Sequence, residues 1–161
     1  MHPHSPTTRP GALVRLAALF GIAVALNYPW ELAQSPLYVG SDQWGSTWWH
    51  CFAASLGDGI LIVVIFLAGA AAFGRSDWFE QPAKWHYGLM LATGAALAIA
   101  VEWAAVYVAH RWSYAAEMPL IPGLEIGVAP IVQMLILPPI AFRVLTFWLR
   151  RKADPPRKAR S

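Results

Sequence analysis

Asp58-Gly59-Ile60-Leu61-Ile62-Val63-Val64-Ile65-Phe66-Leu67-Ala68-Gly69-Ala70-Ala71-Ala72-Phe73 is the stretch that decides the fold. One acid opens a run with no other polar side chain. With Trp48 and its neighbours in front, the apolar stretch covers 48–73, more than the ~20 residues a helix needs to cross the hydrocarbon core. Three further apolar runs follow the same rule, at 16–33, 87–110 and 123–148. Of the 161 residues, 57% are hydrophobic and 13% charged, with a mean hydropathy of +0.44; charged residues alone approach ~25% in a soluble domain. The chain is therefore expected to be all-α, an integral-membrane four-helix bundle with antiparallel helices. A single four-span membrane domain at 12–150 lies between a disordered cytoplasmic N-terminus at 1–11 and a basic cytoplasmic tail at 151–161.

Basic residues set the expected orientation, because cytoplasmic loops retain Lys and Arg. Arg9 and Arg15 precede the first span, Arg75 and Lys84 follow the second, and Arg143, Arg150, Arg151, Lys152, Arg157, Lys158 and Arg160 crowd the C-terminus. The loop after span one has neither Lys nor Arg, and the loop after span three has only Arg111. Both termini are then cytoplasmic (N-in, C-in), in a multi-pass protein of a cell inner membrane. A basic tail beside a bilayer reads anionic lipid rather than nucleic acid, so no nucleic-acid partner is expected. Arg15 followed by 16–26 mimics a signal peptide, but removing it would leave three spans and the wrong terminal orientation. Cys51 is the one cysteine and excludes an internal disulfide.

Nine tryptophans resemble a cofactor box until they are placed on this topology. Trp30, Trp44, Trp48, Trp49 and Trp112 fall at the outer interface and Trp78, Trp85 and Trp148 at the inner one, where amphipathic rings settle anyway. Trp103, inside span three beside Glu102, lies outside that pattern.

A carboxylate inside a span is costly and marks a functional site by default. Depth adds to this: at 1.5 Å of rise per residue, Asp58, Glu102 and Gln133 all lie roughly 12–15 Å below the outer ends of their spans, and Asn27 roughly 9 Å, with Glu31 one turn above it. Side chains at i, i+4 and i+7 share a helix face. On that basis Asn27 stacks with Glu31, Cys51 with Ser55 and Asp58, Glu102 with Val106 and His110, and Glu125 stands two turns above Gln133. Gly57 and Gly59 beside Asp58 permit close helix approach, and Pro130, Pro138 and Pro139 free backbone carbonyls that an interior site could use. One polar cavity in the outer half of the bundle is the expected result.

Each polar residue also has a plainer explanation. Asn27 and Gln133 serve equally as interhelical hydrogen-bond glue, Glu31 as a group that snorkels to the interface, and His50 and His110 as ordinary surface histidines. Asp58 with Glu102 is harder to dismiss, because no Lys or Arg shares their depth: the two acids must be partly protonated or bind something positive. A desolvated carboxylic acid is a general acid, and a second carboxylate takes the proton back. Aromatic faces such as Trp103, Tyr107 and Tyr114 stabilise a developing cation. These groups suit cyclisation, isomerisation or hydration of an isoprenoid-like lipid, with Glu102, Asp58 and Glu31 catalytic and Asn27, Trp103, Tyr107, Gln133, Trp112 and Tyr114 binding substrate. No cofactor is expected. The alternative of a metal held by the acids with His50, Cys51 and His110 matches no compact ligand spacing.

The strings Asn27-Tyr28-Pro29-Trp30-Glu31 and Glu102-Trp103, the latter followed by Arg111-Trp112-Ser113-Tyr114, resemble small integral-membrane terpene cyclases and carotenoid hydratases. These place acids on adjacent helices near an aromatic rim, and the resemblance implies a hydrophobic small molecule or membrane lipid as partner. The wider layout, with Met118-Pro119, Ile121-Pro122-Gly123 and Leu137-Pro138-Pro139, resembles small uncharacterised bacterial four-span proteins and implies no activity. Transport is the rival class, but a channel needs polar lining on both sides of its site, and 16–24, 60–72 and 135–145 are nearly featureless apart from Arg143. A pore between the subunits of a homo-oligomer, or an accessory subunit of a larger membrane complex, stays open. The topology predicts that an impermeant thiol reagent added outside the cell labels a cysteine placed at Ser41 and spares one at Ser76; the reverse pattern overturns it.

Overall fold

The computed structural model describes residues 11–40 and 47–153. Four long helices make up most of it: α1 (Ala12–Gln34), α2 (Thr47–Phe73), α3 (Lys84–Trp103) and α4 (Val128–Ala153). With the short helical turns that extend α1 and α3, all four are long and apolar enough to cross a membrane, and the chain reads as a multi-pass membrane protein. Ser41, Trp44 and the basic residues beyond Ala153 lie outside the described residues.

Pro29 sits inside α1 without breaking it; its missing N–H leaves only the Ala25 carbonyl without an intrahelical donor. Pro36 opens a 3₁₀ turn, Ser35–Leu37, that ends the helix. α2 stops at Gly74, whose φ of 66° is the left-handed conformation glycine adopts after a helix C-terminus. The N–H of Ala83 donates to His86 Nδ1 at 2.8 Å and starts α3, and Arg150, Arg151 and Lys152 occupy the last turn of α4, where cations complement the helix dipole.

Two helix ends differ from the expectation. α3 does not run evenly to His110: after Trp103 it widens into a π-turn, Ala104–Val108, in which the Ala109 N–H reaches the Ala104 carbonyl at 2.8 Å. His110 then takes a φ of 48°, so the expected Glu102, Val106 and His110 stripe is broken. Span four likewise begins at Val128 and not at Gly123. Residues 120–127 form a small antiparallel hairpin, β1 (Leu120–Ile121) with β2 (Ile126–Gly127), and Glu125 lies in its turn at a φ of 52°, not on the helix above Gln133. Ile126 is 1% exposed and packs with Ala98, Ile131 and Met134. That inward packing is why the hairpin reads as part of an apolar run.

The apolar core occupies one end of the bundle, where Leu19 of α1, Ile62 and Ile65 of α2, Met90 of α3 and Phe142 and Leu145 of α4 meet. Trp78, expected at an interface, is fully buried there and donates its indole N–H to the Phe66 carbonyl at 3.1 Å. Gly69 makes this possible, since any Cβ on it would collide with the indole. Arg15 pairs with Glu80 at 3.6 Å and Arg75 with Asp77 at 3.0 Å, pinning the 74–80 connection across this end.

Gly59 is closely approached by Phe20 and Val24, whereas Gly57 faces open space. Pro138 and Pro139 leave α4 continuous. Pro138 deprives the Met134 carbonyl of its intrahelical donor, and that carbonyl is covered by Gly94 of α3, where an added Cβ would run into the oxygen. The freed carbonyl is thus sealed by a helix crossing and is not offered to the polar site. Gly94→Ala is expected to lower stability by about 1–3 kcal/mol through overpacking, while Gly88→Ala, inside α3 with a Cβ that meets nothing within 4 Å, is expected to raise it by about 0.5–1 kcal/mol. Thermal unfolding in detergent followed by circular dichroism checks both.

Candidate functional site

The other end of the bundle carries the polar groups. On α1, Asn27, Glu31 and Gln34 follow one another at i, i+4 and i+7 and share a face. Asn27 is fully buried and donates Nδ2 to the Ala23 carbonyl at 2.8 Å, which leaves its Oδ1 pointing at the neighbouring helices. Gln34 donates Nε2 to Glu31 Oε1 at 2.7 Å and to Gln133 Oε1 at 3.1 Å, and accepts the Trp30 indole N–H at 3.1 Å. Opposite, Ser55 donates to the Cys51 carbonyl at 2.7 Å and Cys51 to the Glu31 carbonyl at 3.5 Å, which places α2 with Asp58 toward the same point.

Gln133 of α4, 2% exposed, joins the three helices. Its Nε2 lies 2.8 Å from Asn27 Oδ1, 2.8 Å from Glu31 Oε1 and 2.9 Å from Asp58 Oδ2. The two carboxyls are therefore no farther apart than the sum of their distances to one nitrogen. A primary amide has two hydrogens, and here it faces three oxygens. Turning the amide over would set its own oxygen against all three, so the donor balance fixes its orientation.

Glu102 forms a second centre. It is 5% exposed, and its Oε2 accepts the Tyr114 hydroxyl at 2.6 Å and the Trp112 indole N–H at 3.4 Å. Tyr114 fits because Gly127 has no side chain: a Cβ there would sit 3.1 Å from the ring. Tyr38 packs on Trp112 and Tyr114 with centroids 6.2 and 5.8 Å apart, and the backbones of Tyr38 and Tyr114 form a bridge flanked by Val39 N–H to Ser113 O and Ala115 N–H to Leu37 O. Burial, followed by the charges of Glu102 and Glu31, pushes the Tyr38 phenol far above its ordinary value. Burial and the hydrogen bond to Glu102 do the same to Tyr114. Both phenols stay protonated, and Tyr114 donates to Glu102.

The structure thus joins Asn27, Glu31, Asp58 and Gln133 directly and groups Glu102 with Trp112 and Tyr114 as a separate centre. Trp103 is 53% exposed, and Tyr107 is exposed with its hydroxyl on the Glu125 carbonyl at 2.8 Å, so neither ring meets the carboxyls. The polar groups fill the space with one another and do not line an open cavity; among the described residues every buried side-chain nitrogen and oxygen has a hydrogen-bond partner. Among those residues, too, no three His, Cys, Asp or Glu side chains are grouped to hold a metal. Sequence reasoning missed Gln34 and Tyr38. The i+7 spacing from Asn27 pointed to the first; nothing local pointed to the second, which depends on a backbone bridge to a distant loop.

No family model, curated protein or solved structure matches this chain. What the site can do therefore rests on its geometry: it holds two carboxyls on one amide and a third on a phenol. The phenols also give a test of the folded geometry. Both are held above the ordinary tyrosine value of about 10, so the native state retains protons that the unfolded chain gives up, and stability is full below about pH 10 and falls as the pH rises beyond it. Unfolding measured from pH 8 to 11 is expected to show this loss, and Tyr38→Phe with Tyr114→Phe to flatten it.

Proposed function

We propose that this chain is an inner-membrane enzyme that performs acid–base chemistry, cyclisation, isomerisation or hydration, on an isoprenoid-like lipid. Its four helices cross antiparallel with both termini cytoplasmic, which puts the carboxyls in the outer half of the bilayer. The observation that carries this reading is the donor shortage at Gln133. Three oxygens at hydrogen-bonding distance from one amide nitrogen are best satisfied when Glu31 and Asp58 supply a proton of their own, so that the pair is an acid held ready at a depth of the spans that holds no Lys or Arg. Glu102, with two donors on one oxygen, is arranged as a carboxylate and serves as the base. Two carboxyl environments pushed apart in this way assign acid and base roles.

In the proposed cycle the Glu31–Asp58 pair delivers its proton to one carbon of an alkene, the π electrons form the new C–H bond, and a cation develops on the neighbouring carbon. An internal alkene or a water molecule then attacks that cation, or no attack occurs. Glu102 removes one proton from carbon or from the attacking water, closing the charge balance. Proton return from Glu102 to the pair resets the site. Asn27 and Gln133 orient the acid, Trp112 and Tyr114 the base.

Comparing lipid extracts from cells expressing the wild type, Glu102→Gln and Asp58→Asn tests this by mass spectrometry. Loss of acid or base is expected to lower product about 10²–10⁴-fold, with folding retained or improved because a buried charge is removed. Extracts that are the same for wild type and Glu102→Gln across isoprenoid-producing hosts would overturn the proposal.

A further inference from the structure

Arg143 lies within the apolar length of span four, which runs on to Lys152, and it is exposed on the outer surface of the bundle while Phe142 and Leu145 beside it are buried. An ionisable group placed there is a candidate site whose partner has to be named. Its Nη2 donates to the Tyr87 hydroxyl at 3.1 Å, and Tyr87 lies in the first turn of α3, which begins at Lys84. The guanidinium is therefore level with the start of α3, at the depth of an interface. Phe147 and Arg151 stand one and two turns farther along α4, on the same side as Arg143 at i+4 and i+8, and the Arg151 guanidinium folds back over the exposed Phe147 ring, 4.3 Å from its centroid. Among the described residues neither Arg143 nor Arg151 pairs with an acid: Glu80 and Asp77 of the adjoining connection are bonded to Arg15 and Arg75. Two guanidinium groups thus flank one exposed ring with no protein carboxylate to offset their repulsion.

We infer that this face of α4, together with Tyr87, binds the headgroup of an anionic phospholipid, with the phosphate between Arg143 and Arg151 and the acyl chains running along Val144 and Ile140. The carboxyls at the other end of the bundle take no part. A guanidinium carries five donors in a planar fork that matches two oxygens of one phosphate, and Tyr87 takes up only one donor of Arg143, leaving the rest for the lipid. Val144 and Ile140 are exposed and apolar on the same stretch of helix, so the occupant that fits carries hydrocarbon as well as phosphate, which a free anion does not. Arg150 adds a third positive charge at this end, its Nη2 on the Glu80 carbonyl at 3.4 Å. That excess repels the cationic part of a zwitterionic headgroup and attracts a headgroup with net negative charge. In the orientation proposed above, the lipid belongs to the cytoplasmic leaflet.

Lipid selectivity measured by electron paramagnetic resonance separates a built site from general surface charge. The purified full-length protein is reconstituted in phosphatidylcholine vesicles that carry spin-labelled phosphatidylglycerol or spin-labelled phosphatidylcholine, and the motionally restricted share of each label is compared. The wild type is expected to prefer phosphatidylglycerol about fivefold or more. Arg143→Gln combined with Arg151→Gln is expected to remove most of that preference, whereas Arg157→Gln combined with Arg160→Gln, which takes the same charge from the tail, leaves most of it. Tyr87→Phe keeps every charge and reads the orientation of Arg143 even where the double variant fails to fold; it is expected to lower the preference about twofold or more. Equal association of the two lipids with the wild type, a tail variant that loses as much as the Arg143 and Arg151 variant, or no effect of Tyr87→Phe would overturn the inference. So would a preference abolished by inorganic phosphate but not by chloride at the same ionic strength, because the site would then take the free anion.

Discussion

One amide nitrogen shared among three oxygens constrains everything near it. In water such a shortage of donors would be corrected by solvent; between packed helices it must be corrected by other side chains, because an unmet buried polar group costs ~1–3 kcal/mol. Gln133 therefore holds Asn27 and Glu31 of α1 and Asp58 of α2 to one point on α4. Lipid tails are as apolar as leucine, so apolar contact alone gives helices little reason to prefer one register. Sliding α4 by a turn, ~5.4 Å, would break every bond in the set at once, and sliding α1 or α2 would break those of that helix. The polar layer fixes the register as well as forming the candidate site.

The opposite end of the bundle solves a different problem with different means. There Trp78 folds back from the 74–80 connection into a space that Gly69 leaves open, and the Arg15–Glu80 pair closes over it. Shape and volume do the specifying. The Gly94 crossing links the two ends: by covering the carbonyl that Pro138 strips of its donor, α3 is brought close to α4 one residue past Gln133. A proline that would be a defect in isolation becomes the reason two helices approach closely.

The four spans and most of the polar layer were legible because they rest on local rules. Apolar run length exposed the helices, and the i, i+4 spacing of Asn27 and Glu31 exposed one face. Matching depth exposed Asp58 and Gln133. The failures share a cause too. Hydropathy does not distinguish Trp78 at an interface from Trp78 in a core, and it does not distinguish Ile121 and Ile126 in a buried hairpin from the first turn of a helix. Glycine near an acid suggested close approach at both Gly57 and Gly59, but which of the two faces a neighbour depends on how α2 is rotated against Phe20 and Val24. Tyr38 was illegible because its position comes from pairing with Tyr114, far away in sequence.

The environment of Glu102 depends most on this non-local structure. In an unbroken α-helix a residue twelve positions on would lie ~18 Å along the axis, yet Tyr114 is twelve positions from Glu102 and bonds it at 2.6 Å. The π-turn at Ala104–Val108 makes the difference. Its wider hydrogen bonds end the regular helix one residue after Glu102, and the left-handed backbone at His110 turns the chain so that 112–114 returns over the carboxylate. The bridge to Tyr38 then anchors that return to the end of α1, the helix that carries Glu31. π-turns cluster at functional sites because they re-aim the backbone without unfolding it, and here the re-aiming delivers two hydrogen-bond donors to one carboxylate and leaves the neighbouring pair short of them. The two donors on Glu102 are therefore brought to it by a backbone irregularity, not by any side chain in the spans themselves.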